Sequence, residues 1–452
     1  MNHAHALLLP WLALAPLALA ASQAPEKAPD EPPAPPQPDT ATPWAWRELF
    51  DGKSLDGWVT KGGRYDGNAA WTVEDGAITG RVGAKGEGGL IYTAQPYSCF
   101  EFECDVRMDW PFDSGIFLRM APEGRGAQVT LDHRSDGEIG AIYSDGFLAH
   151  CETGKDKYKK GEWNHVRVRC TGFDMHLVVD LNGERLIEHR IADGTPGFAP
   201  RGLIGLQVHG DRDDPPTNKV QFKNVRVREL PVFDDVGFVA GKDGLLAIPP
   251  DVAKQGWRSL TARNDLSDWA ANGDQDGYEL KNGVLSVPAK GSGFLRTKAD
   301  FTDFHLRVDF KIARMANSGL YLRSWRQAEN PSYEGAEVQI LDDFHWEAET
   351  KSRLLPYQFT GGLYASVPAG WKRYRPVGEW NTYEVLYVGK RLAVALNGLI
   401  LYDVDVMTVP TGDHPPFSKR PLSGFIGFQR YGAPGVAEPT AAWFRNVLVR
   451  EL

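Results

Sequence analysis

From about residue 44 onward the chain is written in short runs that alternate apolar and polar residues, punctuated by Gly, Asp, Asn and Pro. A period of two puts successive side chains on opposite faces of a strand, so each run predicts a half-buried β-strand. In NSGLYLR from Asn317, the residues Ser318, Leu320 and Leu322 face one way; Asn317, Gly319, Tyr321 and Arg323 face the other. In GAEVQI from Gly335, Val338 and Ile340 share a face opposite Glu337 and Gln339. If the apolar sets line a core, Arg323, Glu337 and Gln339 project together from the far side of one sheet. A cation, a carboxylate and an amide on one face can hold a sugar or move a proton. By spacing alone the same trio is equally a solvated surface with an ordinary Arg–Glu pair.

The alternating runs occur twice in the same order. WRELFDGKSLDGW at 46–58 recurs as WRSLTARNDLSDW at 257–269, FEFECDVRM from Phe100 as FHLRVDFKI from Phe304, and DSGIFLR from Asp113 as NSGLYLR. GAQVTL from Gly126 answers GAEVQI, GEWN and LNG each occur twice, GLIGLQVHG from Gly202 answers GFIGFQRYG from Gly424, and FKNVRVREL answers FRNVLVREL. A conserved order of this kind marks a duplicated domain. The expected boundaries are 44–230 and 257–452, with 231–256 as an irregular but packed connector. Asn-Gly pairs at 182–183 and 397–398 lie between strands and predict tight hairpins. Copies of roughly 190 residues with about ten strands each favour an all-β jelly-roll sandwich over a small immunoglobulin-like domain. GEWN reads as structural, with Trp163 and Trp380 as core residues beside a turn.

Composition adds limits. Aromatics at 11% and 48 Gly suit a sheet-rich chain, and a net charge of −9 with no basic stripe argues against nucleic acid. The apolar run from Ala6 to Ala21, broken by Pro10 and Pro16, with Ala18 and Ala20 in small-x-small spacing, predicts a cleaved secretory signal over 1–24 rather than a membrane span. Residues 25–43 read as a Pro-rich disordered tether, and a periplasmic or extracellular destination follows. Cys99, Cys104, Cys151 and Cys170 are compatible with buried thiols or one disulfide, and no CxxC or HExxH spacing marks a zinc site. The acidic run DRDD at 211–214 and the pair Asp342, Asp343 are weak calcium candidates. Trp325, Trp346 and Trp371 fall in loops and are candidates to stack on sugar rings.

The ordered motif series LFDGKSLDGW, SGIFLR, EVQILD, GEWN, LNG, IGLQVHG and FKN resembles the 3-keto-disaccharide hydrolase family, formerly DUF1080, over nearly all of the chain beyond residue 43 apart from the connector. The resemblance implies a concanavalin A-like jelly roll in each copy. It also implies cleavage of glycosides whose glucosyl C3 has been oxidised to a ketone by a partner glucoside 3-dehydrogenase. A C3 ketone acidifies the C2 proton, so a base removes it, the C1 substituent is expelled and water adds to the enone. Mapped onto the second copy, Glu337 is the expected base or general acid, Arg323 the oxyanion stabiliser and Gln339 a hydroxyl clamp. Tyr321, Gln429 and Asp342 are the supporting contacts, and Tyr431 replaces the family's late histidine. The first copy keeps that histidine as His209, beside Gln207, but has Gln128 and Thr130 where the second has Glu337 and Gln339. Asp132 then becomes the substitute carboxylate, paired with His209 and near Arg119. Complementary losses in the two copies leave two further readings open: a noncatalytic glycan-binding tandem, or one site shared between Glu337 and His209.

Overall fold

The computed structural model describes residues 44–452 except 124, 192–197, 211–214, 216, 372 and 433–434. The expected signal segment, the tether and the DRDD run lie outside the described residues. Each copy is all-β, with two antiparallel sheets packed face to face. In the first, an eight-stranded sheet centred on Phe100–Met108, flanked by Asn164–Thr171 and Val220–Glu229, covers a seven-stranded sheet containing Asp113–Met120, Ala127–Asp132 and Leu203–Val208. In the second, an eight-stranded sheet centred on Phe304–Ile312 covers a five-stranded one. The order in that smaller sheet is Trp269–Gly273, Ser292–Thr297, Phe425–Tyr431, Asn317–Ser324, Ala336–Leu341.

The period-two pattern positions the core. Leu306, Val308 and Phe310 from one sheet meet Leu320, Leu322, Val338, Ile340 and Phe428 from the other, all buried. Each such side chain contributes roughly 1.5–3 kcal/mol by leaving water. The first copy uses Phe102, Cys104 and Val106 against Ile116, Leu118 and Val129 in the same way. The hairpins form at the two Asn-Gly pairs, with φ of +53° and +84° at Asn182 and Gly183 and +51° and +83° at Asn397 and Gly398. Those left-handed angles suit a primed turn, which Asn and Gly tolerate at little cost.

The copies diverge around one sheet edge. After Asp132 the first copy adds Ile139–Tyr143 and Phe147–Ala149 as further strands. The second instead sends out a long segment with the helix Asp343–Thr350, which returns to lay 361–364 along Ala336–Leu341. Gly361 N–H donates to Gln339 O at 3.0 Å and Tyr364 N–H to Glu337 O at 2.9 Å. The preceding loop, 325–335, is also longer than its counterpart 121–126 and carries the short helix Pro331–Glu334.

The connector packs. Leu230, Val232, Phe233, Val252 and Trp257 form a third apolar cluster with Leu386, Ala393, Ile400 and Leu448 of the second copy and Cys99 and Phe173 of the first. The buried Glu384 carboxylate accepts from Val232 N–H at 2.7 Å and Phe233 N–H at 3.0 Å, and pairs with Arg307 at 3.0 Å.

One open alternative closes and one expectation changes. All four cysteines are buried free thiols. The GEWN tryptophans are not core residues: both are half-buried, Trp163 under Arg107 and Lys223 and Trp380 under Arg445, at 4.2–4.7 Å from the ring centres. Within that motif the buried residues are Asn164 and Asn381, whose amides brace the preceding turn.

Candidate active site

On the outer face of the second copy's smaller sheet lies a cleft of about 570 Å³. Its floor is the polar set that alternates with the core, Asn317, Tyr321, Glu337, Gln339 and Gln429, together with the apolar Phe294. Its wall is the 329–333 loop with Ser332 and Tyr333, and Tyr364 closes the side above the covered strand edge.

Glu337 stands at the centre. It is 1% exposed, and its Oε1 has no hydrogen-bond partner. The carboxylate lies over Gly319, where an added Cβ would sit 2.0 Å from Oε1, so only glycine leaves it room. Burial pushes its pKa up from 4.5 to about 7, although a hydrogen bond with Ser332 pulls the other way. A carboxyl poised near neutrality in a dry recess can both take and return a proton at ordinary pH. Beside it, the Tyr321 hydroxyl accepts from Gln429 Nε2 at 2.8 Å, and burial holds its pKa well above the usual phenol value.

Arg323 is not part of this constellation. The strand bulges between Tyr321 and Ser324, and Arg323 takes a left-handed φ of +48° there, which breaks the alternation that put it beside Glu337. Its guanidinium turns away, 2% exposed, and donates to Gly389 O at 2.7 Å, Tyr387 O at 3.0 Å and Asp303 at 2.9 Å, stacked on Tyr387. Asp342 is likewise structural: its fully buried carboxylate caps the Asp343–Thr350 helix at His345 and accepts from Met315 N–H at 2.8 Å. Asp343 is engaged with Thr360. Gln339 and Tyr431 do line the cleft, Tyr431 as an exposed rim residue, though the Gln339 Oε1 folds back onto its neighbour's N–H at Ile340. Trp325, Trp346 and Trp371 do not line it; Trp371 packs against the core.

The first copy places the equivalent residues differently. Gln128 Nε2 donates to Gln207 Oε1 at 2.8 Å across Gly115, closing the notch that Glu337 leaves open. His209 faces Asp113 at 3.5 Å, rather than the expected Asp132, and Arg134 reaches the same carboxylate at 3.8 Å. Asp132 is turned into its own loop, accepting from Arg134 N–H at 2.9 Å. Thr130 bonds backbone groups of Ala141. Arg119 repeats the bulge of Arg323, at φ +50°, and is spent on Ser98 O at 2.7 Å and Gly172 O at 2.9 Å. Tyr65 leans edge-on to Phe117 and covers the place where the second copy has Tyr321. Every residue lining the cleft lies between 272 and 431, so His209 does not share it.

The family model of the 3-keto-alpha-glucoside-1,2-lyase-like domain matches residues 45–228 and again 256–450. The chain belongs to that family. The family is carbohydrate-active and glycosyl hydrolase-like, and the chain is similar to a Bacteroides thetaiotaomicron protein named 3-keto-disaccharide hydrolase, 24% identical over 261 residues, 51% of this chain and 85% of that one. Among solved structures, a candidate glycosyl hydrolase of Parabacteroides distasonis is 25% identical, with a TM-score of 0.39, covering 46% of this chain and 98% of its own. A second from the same organism is 28% identical, with a TM-score of 0.37, covering 43% and 99%. No helix among the described residues is long and apolar enough to cross a membrane. Among the cleft residues that sequence reading missed, Ser332, Tyr333 and Tyr364 sit in segments that are longer than, or absent from, the other copy, so the repeat gave no signal for them.

Proposed function

We propose that the second copy cleaves glycosidic bonds of 3-keto-glucosides, with Glu337 as the proton-transfer group. The observation that carries this is a buried carboxylate with one unpartnered oxygen, poised near neutral pH, at the centre of an open polar cleft. The ionised Glu337 removes the C2 proton of the keto-sugar, and the C–H electron pair becomes the enolate, with its charge on O3. Collapse of the enolate expels the C1 substituent, which takes up a proton, and leaves an enone with C1=C2. Water then adds its oxygen to C1 and a proton returns to C2, giving 3-keto-glucose.

The donors for O3 are the cleft's neutral hydroxyls, Tyr364 and Tyr333, in place of the arginine expected from sequence. A neutral hydroxyl polarises a carbonyl without losing its own proton. The reaction requires an upstream oxidation of the glucosyl C3, so a glucoside 3-dehydrogenase is the functional partner. The N-terminal apolar run and tether support an exported enzyme.

Purified protein incubated with 3-keto-trehalose and with a chromogenic 3-keto-glucoside is expected to cleave both, and deuterium at C2 to slow the reaction. If both substrates stay intact, with and without added divalent metal, the assignment is lost. Binding of unoxidised glycans that is indifferent to Glu337→Gln would favour a noncatalytic module instead.

A further inference from the structure

The floor of the cleft holds a second feature. Three buried oxygens of residues lining the cleft floor have no hydrogen-bond partner in the protein: Oε1 of Glu337, Oε1 of Gln429 and Oδ1 of Asn317. The register makes the three residues neighbours. Gln339 and Gly319 are paired, Leu320 pairs with Phe428, and Asn317 pairs with Tyr431, which puts Gln429 level with Gly319 on the neighbouring strand. Asn317 lies two residues along the same strand face, and the Glu337 carboxylate leans over the glycine from the other side.

The first copy shows how such a notch looks when the protein satisfies itself. There Gln128 and Gln207 bond across Gly115, and Asp113, in the place of Asn317, faces His209 and Arg134. The second copy has neither the bridging amide nor the cation. Arg430 is the one Lys, Arg or His lining the cleft among the described residues, and its guanidinium is committed to the carbonyls of Lys290, Asp274 and Asp276 at 2.6–2.9 Å. Each buried acceptor left unmade costs roughly 1–3 kcal/mol, which a ligand that brings donors would return. Ring hydroxyls are such donors, and a sugar carboxylate is not; a uronate would bring its charge beside Glu337 and Glu329 with no free cation to meet it.

We propose that the cleft selects neutral hexopyranosides by accepting their non-reacting hydroxyls into Asn317 and Gln429, and rejects the corresponding uronosides. This deepens the proposed reaction and rests on it for the orientation of the ring.

The test is a titration by calorimetry or ligand-observed NMR, of wild type, which keeps the Glu337 charge, with methyl glucoside and methyl glucuronide, neither of which carries the ketone needed for turnover, and of Glu337→Gln with methyl 3-keto-glucoside. The neutral sugars are expected to bind at least about tenfold more tightly than the glucuronide. Adding Gln429→Leu or Asn317→Leu should weaken the neutral sugars by about tenfold each, as lost bonds to buried acceptors would. Gln207→Leu, in the first copy, should change nothing. Equal affinity for the glucuronide, or indifference to both leucine variants, would overturn the selectivity. Binding that requires a divalent ion and vanishes with a chelator would also overturn it, by giving the three oxygens to a cation. If the pattern holds while wild type leaves keto-glucosides uncleaved, only the proposed reaction has failed.

Discussion

Gly115 and Gly319 stand at equivalent points of two copies of the same strand, and each lets a side chain from the next strand lie flat across it. In the first copy that side chain is Gln128, which finishes its hydrogen bond on Gln207. In the second it is Glu337, whose Oε1 finishes on nothing the protein supplies. One residue type separates a notch that is closed by its own amides from one that waits for a ligand, while the sandwiches beneath share one strand pattern. The lesson is that the scaffold and the chemistry of this repeat vary independently. The cores hold the geometry, and a single floor position with its neighbouring loops decides whether there is a site.

The sharpest way to break this comparison is to exchange the floor residues. Glu337→Gln is expected to reduce kcat for 3-keto-glucoside cleavage by roughly 10³-fold, within the range for loss of a proton-transfer group, whereas His209→Ala and Asp132→Asn leave it within about twofold. Comparable losses in both sets, measured by steady-state kinetics, would mean that both copies are active. Gly319→Ala should cost about 10²-fold in kcat/KM, because its Cβ would displace the carboxylate. Gly115→Ala, which would press on Gln128, should show only in the melting temperature.

The bulge arginines give a second contrast. Arg323→Met and Arg119→Met are each expected to cost about 3 kcal/mol in denaturant unfolding, since each strands several buried carbonyls. Specific activity of the folded fraction should be unchanged. A large loss of kcat without loss of stability in Arg323→Met would return that residue to the site.

A third contrast concerns pH. The folded pKa of Glu337, about 7, lies above its ordinary 4.5, so the folded state favours the neutral form. Its contribution to stability is fully present below 4.5 and is lost as pH rises through about 7, an amount on the order of 3 kcal/mol. As a base it works ionised, so kcat/KM should rise through the same window. Glu337→Gln should flatten the stability slope, and Gln128→Leu in the first copy should leave it alone.

Much of this was legible before any coordinates. Alternation named the strands, the repeated motifs named the two copies, Glu337, Gln339 and Tyr321 were placed on outward faces by parity, and Gln429 came from the family resemblance. Parity failed where the backbone broke it. Arg323 and Arg119 follow six regular residues of strand, but nothing in DSGIFLR or NSGLYLR marks the left-handed residue that turns the guanidinium away. The same limit hid the pairing of His209: its partner Asp113 lies on an adjacent strand, a relation set by register and not by spacing. Ser332, Tyr333 and Tyr364 were invisible because they reach the cleft from irregular loops, where no period exists to be read.

The connector cluster carries a consequence for removal of the first copy. The back of the second copy's larger sheet, at Leu386, Ala393, Ile400 and Leu448, is wetted only if the connector and the first copy leave it. The first copy covers that wall through residues such as Ser98, whose hydroxyl accepts from Ile400 N–H at 3.0 Å, and Phe173. Deleting the first copy is therefore expected to uncover an apolar wall and send the surviving half into aggregates.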